Sequence, residues 1–380
     1  MIPIATSGEV SLAESGARDA RDTSAQKLLR HAGESARKPN GALRRSHRTE
    51  VTAAPLASGR MLARRFMRDA IVGLRSTPKR LSTKYLYDSE GSLLFDAICH
   101  LSEYYVTRAE LSILRACSAE IVSRLAVDKP CRVVEPGAGS GTKTRLLLRA
   151  LGEGRCVEYV PIDIAGDHVA RTAAQLRKEL AWLRVRPRAA DFSLELRLPV
   201  SDVGARTVVY FPGSTIGNFA PAEARRLLSR FRRAAGRDGL VLVGVDLKKD
   251  PAVLHAAYND ARGVTAAFNK NVLRRMNMEL GADFDLNAFH HYAFYSPSAG
   301  RIEMHLVSDR RQMVRVGDKA FSFEEGESIC TEHSYKYDLT TAERLARSAG
   351  LALVERWLDG DKQFALLLLG ASSYGATPLR

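Results

Sequence analysis

The chain is 380 residues long, 45% apolar and 26% charged, with five cysteines, the balance of a globular protein that builds a full core as one large or two modest domains. No apolar stretch approaches the ~20 residues that span a bilayer, and the N-terminus lacks the apolar run of a secretory signal, so a cytoplasmic protein without a membrane partner is expected. The formal net charge of +14 raises a polyanion partner, but the basic residues are dispersed in pairs such as Arg232-Arg233 beside apolar neighbours, as on a solvated helix face, and no nucleic acid is expected.

Residues 1–60 are rich in Ala, Ser, Arg and Gly and poor in aromatics. Such a segment buries too little apolar surface to offset its ordering entropy, so a disordered tail is expected, with at most a short helix near Ala25 to His31. From Met61 the pattern MLARRFMRDAIVGLR turns helical. The tyrosine-rich stretch that follows reads as loop and short helix, ending in a good helix near Cys117. Residues 61–129 are assigned to the helical part of a substrate lobe.

The most informative stretch is CRVVEPGAGSGTKT, residues 131–144. Val133 and Val134 belong to a buried parallel strand with Glu135 at its C-terminal end. Gly137, Gly139 and Gly141 let the backbone turn tightly and approach a ligand, and Thr142 to Leu151 carries apolar residues at helical spacing. A glycine turn opening onto a helix N-terminus is a nucleotide-type site. The acidic Glu135 before the glycines fits a ligand with a cationic or hydroxylated head, such as S-adenosylmethionine, better than a phosphate. A second strand, VEYVPIDIA, ends in Asp163, where a ribose-binding carboxylate is expected. Asp191 and Phe192 follow, suited to an adenine amino group and ring. TVVYFPGSTIGNF and GLVLVGVDL make a fourth and a fifth strand. Their ends converge on one edge of the sheet, where ligands of open α/β sheets bind. Residues 130–247 are thus a Rossmann-like core.

Residues 248–337 change character: one helix, AVLHAAYNDARGVTAAFNKNVLRRMNMEL, precedes the alternating runs FHHYAFYSP, RIEMHLVSD and QMVRVGD. They read as an inserted substrate-binding domain. Residues 338–380 return to the core with a helix and a closing β-hairpin, LALVERWL and QFALLLLG, which adds one antiparallel strand. The fold class is α/β: a class I methyltransferase sheet, mostly parallel with its last strand antiparallel, and an added substrate lobe. The five cysteines (Cys99, Cys117, Cys131, Cys156, Cys330) are scattered without zinc or redox spacing, so a reduced protein with no metal is expected. In FPGSTIGNF, Asn218 offers a donor and an acceptor, suited to an amino acid's amine and carboxylate together; capping of the following helix is the equal alternative.

The stretches KYLYDSEGSLLFDAICHLSEYYVTRAE, EPGAGSGTKT, FPGSTIGNF, AAYNDARGVTAAFNKNVL, RIEMHL and the TEHS of CTEHSYKY occur in order across residues 75–370. In them the chain resembles the histidine-specific Nα-methyltransferases of ergothioneine biosynthesis. That resemblance implies trimethylation of L-histidine to hercynine; a monomer is the default expectation. It implies that Tyr87, Gly137, Lys143, Asp163, Asp191 and Phe192 hold S-adenosylmethionine. It implies that Tyr104, Asn218 and Tyr258 hold the amine and carboxylate, with Gly213 and Thr215 lining the same loop. Glu332 and Ser334 then recognise the imidazole beside Met304, and strand alternation turns His333 away. Methylation of another amino acid or a thiohistidine, or of RNA or protein, and a mere S-adenosylmethionine sensor are the rival readings.

Overall fold

The computed structural model describes residues 55–194, 196, 198 and 204–372; the expected tail and its short helix lie outside them. The core is built on strands that are apolar on both faces, which only a sheet covered by helices on each side accommodates. β2 (Cys131–Pro136), β6 (Arg206–Phe211), β7 (Leu240–Asp246) and β14 (Phe364–Ala371) are buried along their whole length. With β3 (Cys156–Asp163), β13 (Leu351–Leu358) and the two-residue β4 (Arg184–Val185) they form one sheet in the order β13-β14-β7-β6-β2-β3-β4. Val133 stands between Tyr159 and Val208 in parallel register. β14 runs antiparallel to both β7 and β13. Each leucine of Leu366–Leu369 removed from water there contributes about 1.5–3 kcal/mol. This strand order, with the chain's closing hairpin returned to the far edge, is the class I methyltransferase sheet expected from the sequence.

α1 (Pro55–Leu74) begins ahead of the expected start at Met61. α2 (Ser89–Ile98) and α3 (Tyr105–Ala116) follow the tyrosine-rich stretch as expected. The single helix expected after residue 250 is two: α8 (Pro251–Tyr258) and α9 (Val264–Leu280). The break has a local cause. Asp260 accepts the Val264 and Thr265 N–H groups at 2.9 and 2.8 Å, and Gly263 takes a left-handed φ of 69°. A side chain that offers the backbone an alternative partner ends one helix and starts another. The break leaves Tyr258 as the last residue of α8.

A second sheet has the order β1-β12-β9-β8. β8 (Phe289–Ser296), β9 (Arg301–Ser308) and β12 (Ser328–Tyr335) are antiparallel neighbours, and β1 (Lys79–Arg80), from before the core, pairs parallel with β12. In β9 every second residue is buried, the signature of a sheet with one covered face. The described residues form one compact unit.

Candidate active site

The loop after β6 folds back on the sheet's C-terminal edge because two of its residues take positive φ. Gly213 does so without cost; Ser214, at φ 57°, does so under strain. Its hydroxyl accepts the Asp246 N–H at 2.9 Å. The Gly213 N–H donates to the buried Glu110 carboxylate at 2.8 Å, and Lys143 pairs with that same carboxylate at 2.7 Å. This loop closes one wall of a cavity at that edge. Tyr104 from the start of α3, Gly213, Thr215 and Asn218 from the loop, Tyr258 from the end of α8, Met304 from β9 and Glu332 and Ser334 from β12 all line it. These are the eight residues expected around the substrate. Asn218 sits in a short 3-10 turn, Thr215–Asn218. The helix after it, Pro221–Ala235, is capped at Ala220, whose N–H donates to Glu223, so the capping alternative for Asn218 is overturned.

The imidazole-side pair is aimed by a bulge. Cys330 stands opposite His305 and Glu332 opposite Met304, leaving Thr331 unpaired in the ladder, and a bulge re-aims the side chains that follow. Glu332 and Ser334 then face the cavity, with Lys336 after them. His333 faces the other side, near Glu303, as alternation requires. On that outer side Glu303, Cys330 and His333 bring three potential ligand atoms within 4.8 Å of one another, and Arg301 already donates to Glu303 at 2.7 Å. The Glu332 carboxylate accepts no hydrogen bond from the described residues. Burial pushes its carboxyl up to about 7, with the Lys336 charge pulling the other way.

Three functional residues escaped the sequence reading. Lys336, 3% exposed, donates to Ser334 Oγ at 2.9 Å and Tyr258 OH at 3.0 Å, and pairs with Asp246 at 2.8 Å. Asp246 ends β7, accepts the Tyr105 hydroxyl at 2.8 Å and is paired with Lys249. Burial alone would raise its carboxyl, but Lys336 and Lys249 outweigh that and hold it below the usual range. Burial likewise pulls the Lys336 ammonium down, and Asp246 then Tyr258 reverse the effect, so it stays charged. The third is Thr265, a buried residue of the cavity lining whose N–H is held by Asp260. A signal existed for two of these. Lys336 continues the same alternation as Glu332 and Ser334, and Asp246 ends an apolar strand just as Asp163 does.

The six residues expected at the cofactor do not share one wall. Tyr87 lines the first cavity and also a second that Asp191 lines with Ile164, Ala165 and Lys84. Gly137, Lys143, Asp163 and Phe192 line neither. Asp163 accepts the Gly139 N–H at 3.2 Å and the Ala165 N–H at 3.0 Å, bracing the glycine turn. Asp191 faces Lys84 at 3.3 Å and Arg65 at 3.7 Å. The Phe192 ring lies over Gly137, whose φ is 73° and where a Cβ would meet that ring at 3.3 Å. A turn that only glycine fits, a braced ribose-type carboxylate and an open space beside Asp191 suit an adenosyl group. Glu135 is the correction. It does not face this edge: it is buried under the turn, accepting the hydroxyls of Thr144 (2.6 Å) and Tyr159. Burial pushes its carboxyl up to about 8. Its contribution is to pin α5 (Thr142–Leu151) to the sheet, not to meet a cationic head.

The same residues locate the chain among known proteins. Residues 66–371 match the model of a family described as histidine-specific methyltransferase, SAM-dependent. A histidine N-alpha-methyltransferase of Mycobacterium tuberculosis is 41% identical over 304 residues, 79% of this chain and 93% of that one. Its namesake from Mycolicibacterium smegmatis is 40% identical with the same coverage. Ergothioneine biosynthesis protein 1 of Neurospora crassa is 30% identical over 78% of this chain and 33% of its own length. With the class I sheet, the braced glycine turn and the cavity at its edge, these matches make the chain an S-adenosylmethionine-dependent methyltransferase of the histidine-specific family.

Proposed function

We propose that the chain trimethylates the α-amine of L-histidine, yielding hercynine for the ergothioneine pathway. The observation that carries this is the cavity with a buried, unpartnered carboxylate, Glu332, beside the Ser334 hydroxyl. Such a carboxylate is costly until a ligand donates to it. An imidazole N–H does so; the side chains of leucine and phenylalanine do not, so the site rejects them strongly. When bound, S-adenosylmethionine supplies a methyl group already activated by its sulfonium. Gly137, Lys143, Asp163, Asp191 and Phe192 are assigned to hold it, with Tyr87 standing between the two cavities. Tyr104 and Asn218, whose side chains have no hydrogen-bond partner among the described residues, orient the amino acid so that its amine lone pair faces the donor.

Tyr87, Phe95, Tyr104, Tyr258 and Phe268 surround the amine end in edge-to-face pairs 5.3–6.4 Å apart. Ring faces attract cations without demanding N–H groups, which supports methylation through to a quaternary ammonium. Burial pushes the phenols of Tyr104 and Tyr258 up, so both stay protonated, and neither serves as a base at neutral pH. The amine therefore loses its proton before it is enclosed. Five free cysteines agree with a cytoplasmic setting, and among the described residues no helix is long and apolar enough to cross a membrane.

The test is to incubate the purified protein with S-adenosylmethionine and each of the twenty amino acids and weigh the products. Three methyls on histidine alone is the expected result. Activity on tryptophan, a peptide or RNA without methylated histidine would overturn the substrate and leave the fold and cofactor standing.

A further inference from the structure

The Lys336 ammonium has three N–H donors, and three acceptors surround it: Asp246 at 2.8 Å, Ser334 Oγ at 2.9 Å and Tyr258 OH at 3.0 Å. Its donor capacity is spent inside the protein, so it does not itself bind substrate. What it does is assign roles to the two hydroxyls. Tyr258 OH lies 2.8 Å from Ser334 Oγ and donates to it, the phenol being the more acidic of the two. Ser334 thus receives two hydrogen bonds, from Lys336 and Tyr258, and a hydroxyl has two lone pairs. Its own proton has one direction left, into the cavity. Tyr258, with its proton committed to Ser334 and one lone pair taken by Lys336, shows the cavity an acceptor. Two residues back on the same strand face, Glu332 is an acceptor with no donor from the described residues.

We propose that Lys336 is a positioning residue that sets the hydrogen-bond polarity of the substrate cavity, making Ser334 a pure donor and Tyr258 an acceptor, so that histidine is bound with a neutral imidazole in a single tautomer. The ring N–H points to Glu332 and the unprotonated ring nitrogen receives the Ser334 proton. The Tyr258 lone pair meets the N–H groups of the α-amine. An imidazolium sets an N–H against the Ser334 proton and is disfavoured there, even beside a carboxylate. The titratable or charged groups facing the ring are Glu332, Lys336, Asp246 and Tyr258 on one side and Tyr87 and Tyr104 on the other. Of these only Glu332 titrates near neutrality, because burial raises it, and the ring N–H that reaches it favours its charged form. This inference rests on histidine being the substrate.

The experiment is nitrogen NMR of ring-labelled L-histidine bound to the full chain with S-adenosylhomocysteine at about pH 6, just below the ring's ordinary pKa of ~6.5. In the native protein one ring nitrogen is expected protonated and one not. In Lys336→Met, where a Ser334 lone pair is freed, and in Ser334→Ala, where the donor is gone, both nitrogens are expected protonated. Lys336→Arg, which keeps the donors, restores the single tautomer. Ser334→Ala leaves the Lys336–Asp246 pair in place and gives the same readout if Lys336→Met does not fold. A doubly protonated ring in the native protein, or one tautomer persisting in Ser334→Ala, overturns the inference. If the native protein binds no histidine, the functional reading fails, and that result is distinct from either ring state.

Discussion

The two ends of the site handle charge in opposite ways. At the end proposed for the cofactor, Asp163 accepts the Gly139 and Ala165 N–H groups, and Asp191 accepts the Ser193 N–H at 3.0 Å and faces Lys84 and Arg65. The cations near Asp191, Lys84 and Arg65, have side chains 21% and 29% exposed. At the substrate end Asp246, Lys336, Tyr258 and Ser334 are all buried and come from β7, the end of α8 and β12. An arrangement whose cations keep contact with water loses less when one partner is removed, because water replaces part of it. A dry arrangement assembled from distant segments loses much, because nothing replaces it.

The sharpest way to break this comparison is to remove one acid at each end. Asp246→Ala is expected to cost about 3–5 kcal/mol of folding stability by leaving buried cations uncompensated, and Asp191→Ala less, because Lys84 and Arg65 still reach water. Urea unfolding of the two variants measures both; equal losses would contradict the distinction. Next in size is Glu332→Ala. Losing a charge-assisted hydrogen bond to substrate is expected to lower kcat/KM for histidine by about 100-fold (about 3 kcal/mol). The S-adenosylhomocysteine affinity should not move, and calorimetry checks that half. A change in cofactor affinity comparable to the loss in kcat/KM would mean that the two ends are not separable.

Gly137→Ala probes the cofactor end by itself. The left-handed φ and the Phe192 ring at 3.3 Å predict a stability loss of about 1–2 kcal/mol, with weaker cofactor binding and an unchanged ratio of activity between histidine and its analogues. The smallest effect is on pH. Below about 4.5 Glu135 is protonated in both folded and unfolded chains. Between there and about 8 the unfolded chain releases a proton that the folded one keeps, so stability falls as pH rises through that window. Glu135→Gln should flatten this slope in unfolding curves taken from pH 5 to 8. Glu332 contributes a similar slope that fades through about 7, so it is the difference between native and Glu135→Gln curves that isolates Glu135. An unchanged slope in Glu135→Gln would show that the carboxyl is ionised beneath the turn.

Much of the fold was legible because its signals are short-range. An apolar run followed by glycines and a helical stripe is readable within fifteen residues, and Thr142–Leu151 begins and ends where the pattern places it. The eight substrate residues were legible as an ordered set of motifs, and one cavity collects them. The misreadings have a common origin. The run from Ala252 to Leu280 has helical composition throughout, and only the Asp260 carboxylate reaching forward to Val264 and Thr265 breaks it. Glu135 stands where a ligand-facing acid is expected, yet Thr144 and Tyr159, 9 and 24 residues away, draw it inside. Cysteine spacing likewise gave no hint that Cys131 and Cys156 are register partners on adjacent strands.

The sequence by itself determined which segments are apolar core strands, the glycine turn and the helix that follows it, because backbone preference and hydrophobic period depend on neighbours within a few positions. Only the tertiary structure decided which polar groups are already satisfied and which still ask for a ligand. Tyr258 and Ser334 are 76 residues apart, and Tyr258 and Lys336 are 78 apart. Whether a buried hydroxyl gives or takes a hydrogen bond depends on every partner that folding brings to it, and that count exists only once those segments have met.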